Sequence, residues 1–243
     1  MFNSRLIEGL GKSSMIRAMF EDGERLRKQY GADKVYDFSL GNPDTEPPIE
    51  VAASLKKYVN SQEPGLHRYM SNAGYQDVRG KVAAYLQKKS GINLTAENIV
   101  MVCGAAAGLN IALKALLNPE DEVIVMSPFF VEYLSYIENA GGKPVIVKTL
   151  EDSFQIDLDA VDKAITAKTK AIILNSPNNP TGVVYTKDTL EGLKEVLEKK
   201  ESELGTEIYV ISDEPYISIV YDDVEVPNMM SIFNKSITVN SFS

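Results

Sequence analysis

From residue 73 to the end of the chain, short apolar runs alternate with longer amphipathic stretches, and this alternation limits the fold more than any other feature. The apolar runs are NIVMVC, EVIVMSP, KPVIVKTL, KAIILNSP, IYVISDEP and SITVNSFS. Each is short for a helix, and too continuously apolar for a strand with one wet face. Such strands belong to a mainly parallel sheet covered on both faces, with the stretches between them crossing over as helices. The helical stretches carry their own punctuation. AGYQDVRGKVAAYLQKKSG puts Val78, Val82, Tyr85 and Leu86 on one stripe and stops at Gly91. GAAAGLNIALKALL carries Leu109, Leu113 and Leu116, FFVEYLSYIENAGG ends in glycines, DLDAVDKAITA opens with acids, and KDTLEGLKEVLEKK has a charged face. The expected class is α/β, a mainly parallel sheet with helices on both faces.

Ahead of this body the spacing predicts a helix, with Ser13 or Ser14 as its cap and Met15, Met19 and Leu26 before Gly31. The turn-rich SLGNPDTEPP follows, and it suggests a boundary between an N-terminal segment, 1–45, and a main body, 46–243. A net charge of -9 argues against nucleic acid and against an anionic membrane surface. The sequence has no apolar run long enough to span a bilayer, and MFNSRLIEGLGKSSM lacks a secretory signal pattern. A single cysteine, Cys103, excludes an internal disulfide and fits a cytoplasmic location. With His67 as the one histidine, the chain has too few ligands for its own zinc or haem site. A magnesium site made of carboxylates stays open on this evidence, and no metal is expected.

In parallel sheets ligands bind beyond the carboxyl ends of the strands, so the residues after each run matter most. After NIVMVC, the stretch GAAAG opens a helix whose N–H groups at Ala105 and Ala106 can seat a phosphate, or whose small residues simply permit close packing. After EVIVMSP come Phe129, Phe130 and Tyr133, as a stacking wall or as core. After KAIILN, the rigid turn SPNNPTG offers an Asn amide, or is a plain turn. After IYVIS, Asp213 is a ligand carboxylate, a helix cap or a Walker-like acid, but the last needs a phosphate loop that this chain lacks. After ITVN, SFS adds two hydroxyls. Phosphate donors, an aromatic wall, an amide and a carboxylate together suit a phosphorylated planar cofactor with a basic ring nitrogen. Pyridoxal 5′-phosphate (PLP) is such a cofactor, and a carboxylate keeps its ring nitrogen protonated.

Taken in order, LGNPD, YMSNAG, VCGAAAGL, SPFFVEY, NSPNNPTG, SDEPY and NSFS resemble the fold-type-I PLP-dependent aminotransferases of class I/II, the aspartate aminotransferase-like family. The resemblance implies a role for each matching position. Asp213 would pair with the ring nitrogen, and Tyr216 and Asn179 with the ring's 3-oxygen. Phe130 would stack on the ring, where some members carry Trp or Tyr. Ala105 and Ala106 would give N–H groups to the phosphate, and Ser241 and Ser243 their hydroxyls; some relatives have a larger or polar residue at Ala106. Gly41 and Asn179 would lie by the substrate carboxylate. Tyr69 would reach the phosphate of the other subunit in a homodimer with shared sites. The resemblance also places the Schiff-base lysine directly after Ser243, so it predicts a longer polypeptide of which these 243 residues are the first part. It implies transfer of an amino group from an L-amino acid to a 2-oxo acid, with aspartate as the family default. A C–S β-lyase on the same scaffold is the alternative. A transcription regulator with an aminotransferase-like sensor would need a DNA-binding domain ahead of the fold, and a nicotinamide enzyme would need the glycine fingerprint.

Overall fold

The computed structural model describes residues 7, 14–38, 41 and 45–242, with the backbone alone for 14–18 and 20. The chain divides into two compact units, Met1–Arg68 and Tyr69–Ser243. In the first unit, α1 (Ser14–Tyr30) occupies the stretch where the spacing predicts a helix. Ser13 lies outside the described residues. The unit also holds α2 (Ile49–Val59), which the sequence reading missed. Pro48 precedes α2 and Glu50 lies in its first turn, a start signal hidden inside what reads as a proline-rich turn.

The second unit begins with α3 (Gln76–Ser90), stopped by Gly91 in the left-handed conformation at φ 72°. Its inward face is not the expected stripe. Val78 and Tyr85 are exposed, and Arg79 and Ala83 are buried. Arg79 takes the inner position because its guanidinium donates to the carbonyls of Gly74 (3.2 Å) and Ala96 (2.7 Å). Hydropathy alone does not register such pairing.

The next expected strand, NIVMVC, also departs from expectation. Residues 99–103 pair with no strand among the described residues, and the Met101 N–H donates to the Ala73 carbonyl (2.9 Å). No residue of the run is buried and Val100 is exposed; an apolar run becomes a strand only where it has a ladder partner.

The remaining elements follow the alternation: α4 (Gly104–Leu116), β1 (Glu122–Ser127), α5 (Glu132–Ala140), β2 (Lys143–Lys148), α6 (Leu158–Ala164), β3 (Thr169–Asn175), α7 (Lys187–Leu204), β4 (Tyr209–Asp213), the short α8 (Met229–Ile232) and β5 (Ser236–Val239). The sheet order is β2-β1-β3-β4-β5, and every neighbouring pair is parallel. Alternate strand residues face opposite layers. On one face Val123, Val125, Ile173 and Ile211 meet Leu109 and Leu113 of α4 and Ile137 of α5. On the other, Ile124, Ile172, Leu174 and Val210 meet Val161 of α6 and Leu190, Leu193 and Leu197 of α7. Burying each such side chain contributes about 1.5–3 kcal/mol, so both faces must be covered for the sheet to persist. The strand order reverses between β1 and β3, where an open α/β sheet leaves a crevice at its carboxyl edge.

Candidate active site

A cavity of about 110 Å³ opens at that crevice. Ala105, Ala106, Phe130, Asn179, Asp213 and Tyr216 line it, six residues drawn from four separate strand-end or helix-start positions. Leu109, Tyr133, Asn175 and Pro215 complete the wall.

Each side chain arrives there for a local reason. Gly104 opens α4 at φ 81°, and Cys103 before it makes no side-chain cap bond. The first-turn N–H groups of α4 therefore have no capping side chain, at the end of a helix dipole that favours an anion. Phe130 stands in the loop between β1 and α5, its ring edge-on to Tyr133 at 5.6 Å and 81°. In the NNPTG turn the two asparagines divide the work. Asn178 Oδ1 accepts from the Thr181 N–H (3.1 Å) and hydroxyl (2.8 Å), which closes the turn. Asn179 lines the cavity, and its Nδ2 donates to Tyr216 Oη (3.4 Å).

Asp213 ends β4 with its side chain on the same face as Ile211, toward α4 and α5. It is 5% exposed. Tyr133 Oη donates to its Oδ2 at 2.5 Å, and its Oδ1 is buried without a partner among the described residues. Burial raises the Asp213 pKa, opposed by the bond from Tyr133. Burial, then the Asp213 charge, raises that of Tyr133. Asn175 sits beside Asp213 in register on β3, and Nδ2 donates to the Asp213 carbonyl (2.8 Å). Its Oδ1 accepts from the Asn179 N–H (2.6 Å), so one buried amide ties two cavity residues together.

Asn175 is a site residue that the sequence reading did not assign, and Tyr133 is one that it offered only as part of a stacking wall or as core. A buried tyrosine needs a partner for its hydroxyl, and an asparagine closing the apolar run AIILN needs partners too; those were the available signals. Of the other expected residues, Ser241 lies beyond β5 and is not part of the cavity wall. Tyr69 is fully exposed, and Gly41 is exposed in the first unit. Ser243 lies outside the described residues. Among the described residues no group of three His, Cys, Asp or Glu side chains could hold a metal.

What these groups can hold together is a flat ligand bearing an anion at the α4 end and a basic ring atom at Asp213. The unpartnered Oδ1 is the feature that asks for such an atom, since a buried carboxylate oxygen is costly to leave unpaired. Fold and site thus define an α/β domain of the kind that binds a phosphorylated, planar cofactor.

A family model for aminotransferase class I and II matches residues 33–243, and the chain belongs to that family. Its members depend on PLP, the expected cofactor. A probable aspartate aminotransferase of Methanocaldococcus jannaschii is 34% identical over 207 residues, 85% of this chain and 52% of its own. A probable N-acetyl-LL-diaminopimelate aminotransferase of Bacillus subtilis is 31% identical over 238 residues, 98% of this chain and 55% of its own. Among solved structures, an amino transferase from Eubacterium rectale matches at 37% identity and a TM-score of 0.94, covering 100% of this chain and 61% of that one. Thermus thermophilus aspartate aminotransferase with maleate matches at 33% identity and a TM-score of 0.81, covering 94% of this chain and 57% of that one. The chain spans about half the length of the curated relatives it matches.

Proposed function

We propose that the protein is a PLP-dependent aminotransferase that moves an amino group from an L-amino acid to a 2-oxo acid. The observation that carries this reading is Asp213, with Oδ2 taken by Tyr133 and Oδ1 buried without a partner among the described residues, in a cavity shared with the start of α4. When bound, PLP supplies an electron sink for the bonds at the amino acid α-carbon. The Asp213 carboxylate would hold a proton on the ring nitrogen, and Tyr133, bonded to its Oδ2, would keep the carboxylate in one rotamer. Asn179 and Tyr216, already paired, would hydrogen-bond the ring oxygen. Phe130, in the cavity wall, would stack on the ring. The N–H groups of Ala105 and Ala106 would take the phosphate; the hydroxyls of Ser241 and Ser243 are added by the resemblance alone. Asn179 would lie by the substrate carboxylate.

The relatives named above are aminotransferases, which supports transfer over β-elimination. They are named for different substrates, and aspartate is the default of the resemblance. We further infer a cytoplasmic homodimer, with Tyr69 of each subunit reaching the site of the other, and assign 1–45 to a small domain and 46–243 to the PLP-binding domain. Titrating PLP into the purified protein tests the cofactor: a bound chromophore is expected, and its absence sinks the reading. An amino donor given without acceptor should then yield pyridoxamine phosphate. Pyruvate and ammonia from a β-substituted amino acid would select the lyase instead.

A further inference from the structure

Beside Asp213 lies a second buried carboxyl that this mechanism does not use. Glu214 is 6% exposed and directly follows the strand-ending Asp213. Strand alternation puts Asp213 and Glu214 on opposite faces of the sheet, and Glu214 shares its face with Ser212. Ser212 is completely buried, and its hydroxyl donates to Glu214 Oε1 at 2.7 Å. The Glu214 N–H donates to the Val239 carbonyl (2.9 Å), which carries the β4–β5 seam one residue past the strand. Its own carbonyl accepts from the Ile217 N–H (3.4 Å), and the Ile219 N–H donates to the Tyr216 carbonyl (2.8 Å). Glu214 is therefore held through its amide, its carbonyl and its side chain, at the point where the chain leaves the sheet and turns toward Tyr216.

We propose that Glu214 is a positioning residue: its carboxyl, fastened behind the sheet by Ser212, anchors the turn that presents Asp213 and Tyr216 to the cofactor together. The proposal rests on the PLP-site reading given above. Asp213 has further supports in Tyr133 and Asn175, whereas Tyr216 is 37% exposed and its hydroxyl meets Asn179 at 3.4 Å. Tyr216 is therefore the side that depends on the anchor. The acid form suffices for this role. Burial, reinforced by the neighbouring Asp213 charge and opposed by the Ser212 bond, pushes Glu214 up to about 7. A glutamine, which keeps an acceptor oxygen for Ser212, is then a close substitute.

The test compares wild type, Glu214→Gln, Glu214→Ala and Ser212→Ala, first without cofactor by amide hydrogen exchange, then by PLP titration followed by absorbance. Glu214→Ala should speed exchange at the Ile217 and Ile219 amides and weaken PLP binding, each by about tenfold, the equivalent of one buried hydrogen bond. The β4 amides should keep their protection. Ser212→Ala should show the same pattern, and Glu214→Gln should match wild type in both readouts. The proposal is overturned if Gln is as impaired as Ala, if the turn amides are unchanged in Glu214→Ala, or if protection is lost across the whole sheet. If Glu214→Ala fails to fold, Ser212→Ala decides alone: local loosening supports the anchor and unchanged exchange removes it. A wild-type protein that takes up no PLP would refute the cofactor reading, while the exchange experiment still reports on the anchor.

Discussion

At the scale of single residues, the site depends on two adjacent carboxyls with opposite orientations and different needs. Asp213 has one oxygen bonded and one reserved, so removing the bonded partner should hurt more than a surface change. Tyr133→Phe leaves Oδ2 buried without its donor, and we expect a loss of about 1–3 kcal/mol in the stability of the cofactor-free protein. Urea unfolding measures it, and an unchanged midpoint would mean the bond contributes nothing. Asp213→Ala should instead abolish most transfer while leaving much of the PLP bound, because the phosphate and stacking contacts persist. Near-normal turnover would reduce Asp213 to a structural acid.

Glu214 has a pH signature whose sign follows from its burial. Its pKa rises from 4.5 to about 7 on folding, so between those values the folded protein keeps a proton that the unfolded chain releases. Stability from this group is present below the unfolded value and is lost as pH rises through the folded one, by about 3 kcal/mol in all. Asp213 shifts in the same direction. Glu214→Gln should therefore gain stability over wild type between pH 5 and pH 8; a constant difference between the two would show that Glu214 titrates normally.

At the scale of elements, the position of α4 is set by a glycine. A Cβ on Gly108 would lie 2.8 Å from Val239 Cγ1 on β5, so the helix rests almost directly on the strand. Gly108→Ala should force the two apart, costing about 1–3 kcal/mol and moving the helix start that holds Ala105 and Ala106. Thr186, which caps α7 through its bond from the Thr189 N–H, is the control. Thr186→Ala should cost about 1 kcal/mol without touching the cavity. Thermal unfolding and PLP affinity, measured together, separate them: both variants melt earlier and only Gly108→Ala binds PLP more weakly. Equal affinities would detach α4 packing from the site.

The same elements explain what was legible in the sequence. β1 to β5 could be read because each is a continuous apolar run closed by a polar or breaking residue; five cavity residues followed from looking just beyond those runs and at the start of α4, and Tyr216 came from the family resemblance. NIVMVC was misread as a strand because pairing is nonlocal. The α3 face was misjudged because Arg79 satisfies backbone carbonyls that hydropathy does not see. The hydrogen bonds that Tyr133 and Asn175 make to Asp213 went unread because that partner is 80 and 38 positions away.

At the scale of the whole molecule, the issue is whether one chain makes a complete site. Tyr69 begins the second unit, fully exposed, in a segment that reaches the positive-φ Gly74. Met70 and Tyr75 beside it are exposed as well. An exposed tyrosine followed by an exposed methionine is suited to an interface, where its ring buries area and its hydroxyl finds a partner. If that partner is the phosphate bound by a second copy, each site needs both subunits, and the symmetry of a dimer makes the need reciprocal. Mixing then discriminates. Subunits carrying Tyr69→Phe are combined with subunits carrying Asp213→Ala. A mixed dimer would hold one site with both lesions and one with neither. Random exchange makes half the dimers mixed, so activity should return to roughly a quarter of wild type from two nearly inactive parents. Tyr69→Ala replaces the Phe variant if the latter is only mildly impaired. Subunit exchange verified by mass, with no recovery of activity, would confine Tyr69 to its own subunit and make the site a property of the single chain.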